Sequence, residues 1–559
     1  MGVTLLNDDD QRISKELLPC PLPFPGVGAF DHAAVKSCSR SVRSRLRSRL
    51  ANQEWANSAV QTLNEVYGHS SPAPPRASAG QEAALQRIRA TFEEVPKAEC
   101  MDSAAAFNVL CGGLAGYDSP SASQATRAKY RRDSVSLPPK GCAHAKPCEI
   151  LTGEALEAWC DWREVLLRSP AERDEAIQRD GNVDPFTDPA LLKKPSEYAY
   201  FLSTLAERGV VNFGRYKAAS VGIFFVPRKD GQLRLIFDTR QANQRFRAPY
   251  HTPLPTAGAF CSTELDAEAS LHVRECDVQC AFYRLECPDG MQEYFTLPAT
   301  TGRQLRAQGV EPGMHLRDDD LVTPRLAVLA MGFSWSLFFC PKAIEQVVQR
   351  CGFSEEQFVV DRAPPPDLSG GKVGVAVYVD GVASLGSDLD AVDDANQRIR
   401  QGLAEANLEC SAEVDEPTGE QTFVGLDFDR DRGQISVKAK RIWNLRLALV
   451  HALGLGKLTS QQLRQLLGHL TWAGLARRGF LSLFSSVYKF IEAGHVTPRP
   501  IWDSVAKELW WATTLLPLLH ADLRREWSPT VYATASAGAC SPRRSPRRWG
   551  GSLSGGVTT

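Results

Sequence analysis

The sequence predicts an α+β fold, with a strand-rich centre between two helical regions. In the centre, "SVGIFFVPRKDGQLRLIFDTR" has two apolar runs separated by Lys-Asp-Gly, which is a strong hairpin signal. Before it, residues 150–215 carry amphipathic helical patterns such as "GEALEAWCDWREVLLRS". Beyond residue 440 the helical pattern returns. Strands that are interspersed with helices and flanked by helical segments are typical of an α+β arrangement.

The composition is that of a globular protein with almost no net charge. Of the 559 residues, 43% are hydrophobic and 23% are charged, and 64 basic residues stand against 65 acidic ones. This length corresponds to about three or four domain-sized units. A nucleic-acid partner would therefore have to bind local basic surfaces, because the charge of the whole chain offers no attraction.

Cysteine usage and apolar segments indicate the compartment. The 15 cysteines lack regular spacing, and the start "MGVTLLNDDDQR" has no signal-peptide pattern. These features predict a reducing intracellular compartment, cytoplasm or nucleus, and not secretion. The most apolar run, "LAVLAMGFSWSLFF", has 14 residues and is too short to cross a bilayer, so no membrane partner is expected.

The N-terminal part of the chain has a mixed pattern. Residues 1–135 alternate short helical patterns with breaks rich in Pro, Ser and Ala, and we expect this region to be partly disordered. Within it, "RSVRSRLRSRL" carries five arginines and predicts a basic helix. That helix could present a solvated face or contact nucleic acid, and the sequence leaves both interpretations open.

The centre and the C-terminal region contain further elements. "LHVRECDVQCAFYRLEC" predicts a strand block, and "SWSLFFCPKAIEQVVQRC" predicts a helix. "AVYVDGVASLG" predicts a hairpin with Asp380-Gly381, a favoured pair for type I′ turns, at its tip, and "EQTFVGLDFDRDRGQISVK" predicts another hairpin. In "LTSQQLRQLLGHLTWAGLARRGF", Thr459 and Gln462 fit a capping box. An apolar stripe follows it, formed by Leu463, Leu466, Leu467 and Leu470.

Two aspartates in the centre are candidates for chemistry. Asp277 stands in an apolar strand block, where a charge is costly unless it is paired or bound to a metal. Taken alone, Asp277 is more simply explained as a strand-end residue that faces solvent. Asp380 likewise needs no chemical role if Asp-Gly is only a turn. Each residue by itself is a weak signal.

Four sequence blocks, in their order, resemble the reverse transcriptases of retroelements over about residues 195–480. "LRLIFDTRQANQ" is similar to a fingers strand of that family, and "DVQCAFYRL" with "EYFTLP" to its first catalytic motif and partner strand. "LAMGFSWSLFF" is similar to its glycine-containing loop and helix, and "YVDG" to its second catalytic motif. "FVGLDF" then resembles the primer-grip hairpin, and the helix that begins after Thr459 resembles the thumb.

The resemblance implies a right-hand polymerase fold of fingers, palm and thumb, with a helical N-terminal extension. It divides the chain into five regions. These are residues 1–135, a poorly defined N-terminal region; 136–194, a helical lead-in; 195–430, the fingers and palm; 431–520, a helical thumb or connection; and 521–559, a truncated remnant of a ribonuclease H-like domain with a disordered tail.

The same resemblance implies an RNA-directed DNA polymerase, which adds deoxynucleoside triphosphates to a primer on an RNA or DNA template. In this reaction two Mg²⁺ ions, or Mn²⁺ in their place, stabilise the attacking and the leaving oxygen. The family pattern implies Asp277, Asp380 and the carbonyl group of Val278 as the metal ligands. Oxygen ligands of this kind are those that Mg²⁺ prefers in proteins.

Further residues receive roles from the resemblance. Arg234 would contact the triphosphate, assisted by Arg228 or Lys229 on the hairpin turn. Phe282 stands at the family's sugar-gate position, where its ring would collide with a ribose 2′-hydroxyl. Gly332 would let the backbone approach the nucleotide. A basic thumb surface, with Trp443 and Trp472 either beside it or in the core, would follow the nucleic-acid phosphates. Its members are Lys438, Lys440, Arg441, Arg477 and Arg478.

Two departures from the family pattern leave the activity open. Gly381 stands where a second aspartate is usual, which removes one negative charge near the metals. "WSPTVYATASAGACSP" resembles the first strand of a ribonuclease H-like domain, but Thr534 runs directly into Ala535 where an aspartate is expected. A decayed copy that binds nucleic acid without polymerising is therefore the alternative function. A third, an RNA-dependent RNA polymerase, is disfavoured by Phe282. The sequence leaves the oligomeric state unknown.

Overall fold

The computed structural model describes residues 21–23, 40–68, 78–94, 102–111, 127–228, 231–311, 317–412 and 420–525, with the backbone alone for 40–50 and 420. The chain divides at Arg524 into two units, and the elements described below all lie in the first. These residues form a mixture of helices and short strands that is compatible with the predicted α+β class. Within the described ranges, no helix has the length and apolar character needed to span a membrane.

The helices are short, apart from a few that exceed a dozen residues. They are α1 (Arg40–Val66), α2 (Ala79–Glu94), α3 (Ser103–Cys111), α4 (Pro147–Ile150), α5 (Gly153–Cys160), α6 (Trp162–Val165), α7 (Pro170–Asp180), α8 (Pro189–Leu192), α9 (Pro195–Ala206), α10 (Arg240–Asn243), α11 (Ala257–Phe260), α12 (Gly302–Arg306), α13 (Ser336–Arg350), α14 (Leu389–Glu405), α15 (Ala439–Leu455), α16 (Ser460–Gly474), α17 (Ser485–Glu492) and α18 (Asp503–Leu515). Single turns of 3₁₀-helix span Ala281–Arg284, Met291–Tyr294, Glu355–Gln357, Ser369–Gly371 and Leu516–Leu518, and a longer one spans Leu475–Leu483.

The strands form small sheets that are mostly antiparallel. They are β1 (Val135–Ser136), β2 (Val211–Gly214), β3 (Gly222–Pro227), β4 (Leu233–Asp238), β5 (His272–Asp277), β6 (Thr300–Thr301), β7 (Leu321–Leu326), β8 (Val373–Tyr378), β9 (Gly381–Gly386), β10 (Glu420–Phe423), β11 (Leu426–Asp429), β12 (Gln434–Val437), β13 (Lys457–Leu458), β14 (Arg499–Pro500) and β15 (His520–Asp522). Their orders are β1-β4-β3, β2-β7-β6, β5-β9-β8, β10-β11-β12-β15 and β13-β14. The β1–β4 pair is parallel.

The first predicted hairpin is confirmed. Strands β3 and β4 pair antiparallel from Gly222 opposite Asp238 to Pro227 opposite Leu233. The Arg228 amide donates to the carbonyl of Gln232 at 2.8 Å, so the hairpin pairing reaches the two residues that flank Lys-Asp-Gly, as predicted. Lys229, a predicted triphosphate contact, lies outside the described residues.

The end of β4 is braced by an ion pair. Buried Asp238 accepts two hydrogen bonds from the Arg240 guanidinium, at 2.8 and 2.7 Å, and a third from the Phe186 amide at 2.8 Å. Since a buried carboxylate is costly without such partners, these bonds fix the end of β4 and the start of α10.

The strand block expected around Asp277 is wrong in its second half. Strand β5 ends at Asp277, Cys280 adopts a left-handed φ of 54°, and a 3₁₀ turn follows. The cause is Arg284, whose side chain is only 1% exposed and is surrounded by acceptors. It donates to the carbonyls of Gln279 at 2.9 Å and Asn407 at 3.3 Å. A strand would turn this guanidinium away from those acceptors and leave it buried without partners.

The partner strand expected in "EYFTLP" is also absent as a regular strand. A 3₁₀ turn over Met291–Tyr294 precedes Thr296, which makes isolated bridges to Ser220 and Arg325. Thr296 is fully buried, and its hydroxyl donates to the Ala219 carbonyl. Thr296 therefore bridges the chain at Ser220 and the strand β7 at Arg325, and it does not belong to a continuous ladder with either.

Two hydrophobic clusters organise the described chain. The first packs the strands β3, β4 and β5 against α13 and the helices of residues 150–206. The second joins the far side of the β5-β9-β8 sheet to β10–β12 and α15–α18. N-terminal helices contribute to the second cluster through Ala59, Phe92 and Phe107. Helices α1–α3 thus belong to the same core as the C-terminal helices, a long-range contact that the sequence did not predict.

The capping box and the apolar stripe of α16 are confirmed. The Thr459 hydroxyl accepts from the Gln462 amide at 3.1 Å, and the Gln462 side chain accepts from the Thr459 amide at 3.0 Å. These two reciprocal bonds satisfy amide groups that the helix start leaves open. All four leucines of the stripe, Leu463, Leu466, Leu467 and Leu470, are buried.

Candidate active site

The register of the β5-β9-β8 sheet brings the two candidate aspartates together. Asp277, the last residue of β5, lies opposite Gly381, the first residue of β9, and Asp380 immediately precedes Gly381. The Val278 amide donates to the carbonyl of Asp380 at 2.9 Å. The hydrogen-bonded backbones of adjacent strands therefore join the two sites, although they are remote in the chain.

The turn that carries Asp380 differs from the predicted one. Tyr378 pairs with Gly381, so the two turn residues are Val379 and Asp380, and Gly381 already belongs to β9. The prediction of an Asp-Gly type I′ turn is therefore wrong. Val379 adopts a φ of 59°, which is costly for a β-branched residue. Backbone strain of this kind clusters at functional sites. Asp380 is itself one of the two turn residues, so its place in the turn does not by itself establish a chemical role.

The surroundings of Asp277 and Asp380 raise the pKa of both carboxyl groups. Asp277 is accessible to solvent, yet the protein around it reduces its hydration, and this desolvation together with the charge of Asp380 raises its pKa to about 6. Desolvation also raises the pKa of Asp380. The positive charge of Arg234 works against these effects, because it lowers the pKa of both carboxyl groups. Arg228 likewise lowers the pKa of Asp277. Two carboxylates and nearby guanidinium groups thus share one site.

This raised pKa predicts a pH dependence of stability in metal-free protein. The pKa of an aspartate in the unfolded chain is about 3.9, so between about pH 4 and pH 6 the native state binds more protons than the unfolded state. The free energy of unfolding therefore loses a contribution from Asp277 as pH rises through this window. Solvent screening makes the loss smaller than the full pKa difference would give.

The measurement is urea unfolding of wild type and of Asp277→Asn at a series of pH values in EDTA. We expect the stability of the wild type relative to the variant to fall from pH 4 to pH 6 and to level off above about pH 7. A relative stability that increases over the same range would show that the native pKa of Asp277 is lowered.

The donor set suits a hard divalent cation. The two acidic side chains offer carboxylate oxygens, and Mg²⁺ needs few protein ligands because substrate phosphates and water complete its coordination. In the described part of the chain, no group of three or more His, Cys, Asp or Glu side chains could hold a metal. The site therefore fits ions that are bound jointly with substrate better than a permanent structural metal.

The residues of the predicted sugar gate and glycine loop, Phe282 and Gly332, belong to separate elements. Phe282 sits in the 3₁₀ turn that follows Asp277, and its ring is largely buried. Gly332 has a φ of 115°, and a Cβ there would lie 2.7 Å from the Phe237 carbonyl oxygen at the end of β4. Its own carbonyl accepts from the Asn243 amide group at 3.0 Å. Packing against β4 therefore requires glycine at position 332, independently of any contact with a nucleotide.

Gly381 is buried beneath the β10–β11 hairpin. A Cβ at this position would meet the Phe423 ring at 3.3 Å. Phe423 itself packs edge-to-face on Phe260, which limits its movement. Gly381 stands where reverse transcriptases usually have a second aspartate, and in this chain the Phe423 ring covers it.

An acid at position 381 should destabilise the protein. We expect Gly381→Asp to lower the free energy of unfolding by about 1–3 kcal/mol, because a carboxylate would be pressed against an aromatic ring. Thermal or urea unfolding measures the loss, and Gly381→Ala, which adds the Cβ without charge, should lose less. A variant as stable as the wild type would contradict this expectation.

The predicted basic thumb surface is divided between two places. Lys438, Lys440 and Arg441 lie at the start of α15, where the two lysines are exposed and the Arg441 guanidinium stacks 3.6 Å from the centre of the Trp472 ring. Arg477 and Arg478 lie in the 3₁₀ segment after α16 and contact neighbouring groups. They bind the His520 carbonyl at 3.1 Å and the Asp361 carboxylate at 3.5 Å. Trp443 is buried, as the core interpretation predicts.

Sequence reasoning missed several residues that shape the site. Glu275 adds a negative charge that raises the pKa of Asp277. It stands two residues before Asp277 on β5, so strand alternation could have identified it. Asn243, which holds the Gly332 loop, and Glu409, which pairs with Arg284 at 3.0 Å, gave no local signal. Two other acids of the central region have structural roles: Asp318 pairs with Arg306, and Asp388 caps α14.

No protein-family model matches this chain, and no curated protein matches it either. The chemistry of the site is therefore the basis for any function.

Proposed function

We propose that this protein is an RNA-directed DNA polymerase of the retroelement type, which uses Mg²⁺ and extends a primer on an RNA template. The observation that carries the proposal is the adjacency of Asp277 and Asp380, joined by the bond from the Val278 amide to the Asp380 carbonyl. Arg234 of strand β4 supports it, because its charge acts on both carboxyl groups.

Each residue has a role in the proposed reaction. Divalent ions bound by the two carboxylates would stabilise the attacking and leaving oxygens of an in-line phosphoryl transfer. Asp277 and Asp380 hold those ions, with the carbonyl of Val278 as a further oxygen ligand. Arg234 and Arg228 bind the triphosphate of the incoming nucleotide. The ring of Phe282 excludes the 2′-hydroxyl of a ribonucleotide.

The proposal includes a right-hand arrangement of the described elements. The β5-β9-β8 sheet would be the palm and the β3–β4 hairpin the fingers. Helices α15 and α16 would form the thumb, with Lys438, Lys440 and Arg441 facing nucleic-acid phosphates. Arg477 and Arg478 contribute less than the sequence suggested, because they already contact other groups of the protein.

Primer extension on an RNA template, with Mg²⁺ or Mn²⁺, tests the proposal. We expect incorporation of deoxynucleotides, with ribonucleotides incorporated far more slowly, and Phe282→Ala should reduce this preference. Absence of incorporation with either ion would reject the polymerase. A wild-type preference for ribonucleotides would reject the role of Phe282 and favour an RNA-dependent RNA polymerase.

A second candidate is a decayed copy that binds nucleic acid without polymerising. The packing of Phe423 over Gly381 favours it, because that position holds no acid. A fluorescence-anisotropy titration with an RNA–DNA template–primer distinguishes the candidates. Tight, salt-dependent binding without any incorporation would support the decayed copy.

A further inference from the structure

A short chain segment lies against the end of β5 and contacts the backbone of Asp277. Residues 407–411, here called the strap, run antiparallel to residues 277–279, with Val278 opposite Cys410. The Gln279 amide donates to the Glu409 carbonyl at 3.0 Å, and the Ser411 amide donates to the Asp277 carbonyl at 2.8 Å. The strap therefore touches the residue that carries one of the two site carboxylates.

The strap places two cysteines on one face of this pairing. Cys276 and Val278 are two residues apart in extended chain, so their side chains lie on the same face. Cys410 pairs with Val278 and is therefore the diagonal neighbour of Cys276. The two thiols lie close enough to influence each other, and both are free cysteines. Cys276 is only 3% exposed, whereas Cys410 is partly open to solvent.

A positive charge stands beside the pair. The Arg400 guanidinium binds the carbonyl of Ser411, the strap residue next to Cys410. An accessible cysteine near a guanidinium, with a second thiol directly behind it, is the arrangement found in thiol pairs that respond to oxidants.

We propose that Cys276 and Cys410 are a redox-modification site, which closes to a disulfide bond and alters the position of the strap against Asp277. The oxidant class is a low-molecular-weight disulfide such as glutathione disulfide. The Cys410 sulfur attacks this disulfide, the external S–S bond breaks, and one thiol leaves. The Cys276 sulfur then attacks the mixed disulfide at Cys410, and the second thiol leaves. The two protein protons go to the leaving thiols, so the protein loses two electrons and the external disulfide gains them.

Closure of this bond requires the strap to move. Diagonal residues of neighbouring strands have Cα atoms about 7–8 Å apart, and a disulfide bond needs less than about 6.8 Å. Strand β5 is held by six residue pairs with β9. The strap is held to residues 277–279 by two backbone hydrogen bonds, and the side chains of Arg284 and Arg400 also bond to it. Because long side chains can follow a small displacement, we expect the strap to shift towards β5, and its bond to the Asp277 carbonyl to change with it. Under the proposed function, this change would weaken incorporation in the oxidised form.

Peptide mapping of the full chain tests the pair. The protein is equilibrated in glutathione redox buffers, free thiols are alkylated, and trypsin then gives peptides 275–284 and 401–430. The first contains both Cys276 and Cys280, so Cys280→Ser is the matched control. We expect the two peptides to be cross-linked in the wild type and in Cys280→Ser, and separate in Cys276→Ser and Cys410→Ser. The cross-link is measured in the wild type itself, so the test remains valid even if a variant folds poorly.

The proposed disulfide bond between Cys276 and Cys410 would be wrong if this cross-link were absent in the most oxidising buffer. It would also be wrong if the cross-link persisted in Cys276→Ser. The effect on Asp277 has its own readout, which rests on the proposed function. We expect oxidation to reduce primer extension at least tenfold, dithiothreitol to restore it, and Cys410→Ser to be insensitive to the oxidant. A mapped disulfide with unchanged incorporation would overturn the coupling to the site. If the chain had no polymerase activity at all, the proposed function would be rejected. The peptide map would still show whether Cys276 and Cys410 form a disulfide bond.

Discussion

Asp277→Asn should abolish primer extension while leaving the fold intact. The amide keeps the shape of the side chain but removes the negative charge, and a neutral group binds Mg²⁺ weakly. Loss of a hydrogen-bond partner around a metal ligand already costs about 10–100-fold in activity. Loss of a direct ligand should cost more, so we expect incorporation to fall by at least about 100-fold. Single-nucleotide incorporation under steady-state conditions measures the change.

Glu275→Gln provides the matched control for this prediction. Glu275 is two residues away on the same strand and influences the charge of Asp277, so the variant makes the same chemical change nearby. We expect less than about a tenfold change, because this carboxylate modifies the local potential without binding the metal. Asp380→Asn should behave like Asp277→Asn. Equal, small effects for all three variants would contradict the assignment of the metal ligands.

Gly332→Ala should destabilise the protein more than any other glycine-to-alanine change discussed above. Its φ of 115° is unfavourable for a residue with a Cβ, and the new atom would lie 2.7 Å from the Phe237 carbonyl oxygen. That oxygen belongs to β4, so it cannot yield without disturbing the β3–β4 hairpin. Backbone strain and steric overlap together should cost about 3 kcal/mol or more. The midpoint of thermal unfolding measures the loss.

Gly468→Ala is the control for the glycine effect. Gly468 lies in α16, and a Cβ there would meet nothing within 4 Å. Alanine in a helix is favoured over glycine by about 0.5–1 kcal/mol, so this variant should be slightly more stable than the wild type. Similar unfolding midpoints for the two variants would show that the Gly332 loop can relax, and the proposed packing against β4 would be wrong.

The locally encoded elements were predictable from the sequence. The β3–β4 hairpin follows from apolar runs around a polar turn, and the α16 helix follows from Thr459, Gln462 and the leucine stripe. Such signals lie within a few residues of one another, because turns and caps depend on short-range hydrogen bonds. Tertiary contacts therefore had little opportunity to override them.

The predictions failed where distant contacts determine the backbone. The strand block after Asp277 ends early because buried Arg284 needs acceptors from residues 407–409, far along the chain. The turn at Asp380 is shifted by one residue because the ladder pairs Tyr378 with Gly381, which forces Val379 into a positive φ. Neither partner can be recognised from local propensity, since both constraints depend on the assembled sheet.

The candidate site shows the same division. The two acids are selected by the resemblance of four ordered blocks to the reverse transcriptases, because each acid by itself is a weak signal. Their adjacency is a property of the β5–β9 register, which local pattern does not determine. The packing of Phe423 over Gly381 was equally hidden, because it depends on a hairpin 40 residues later in the chain.

Anomalous diffraction from crystals grown with Mn²⁺, an RNA–DNA template–primer and a deoxynucleotide is the most direct measurement of the metal site. We predict peaks about 2.0–2.3 Å from carboxylate oxygens of both Asp277 and Asp380, with the nucleotide's phosphates as further ligands. Peaks that lie at other acidic residues, with both carboxyl groups free of metal, would contradict the account.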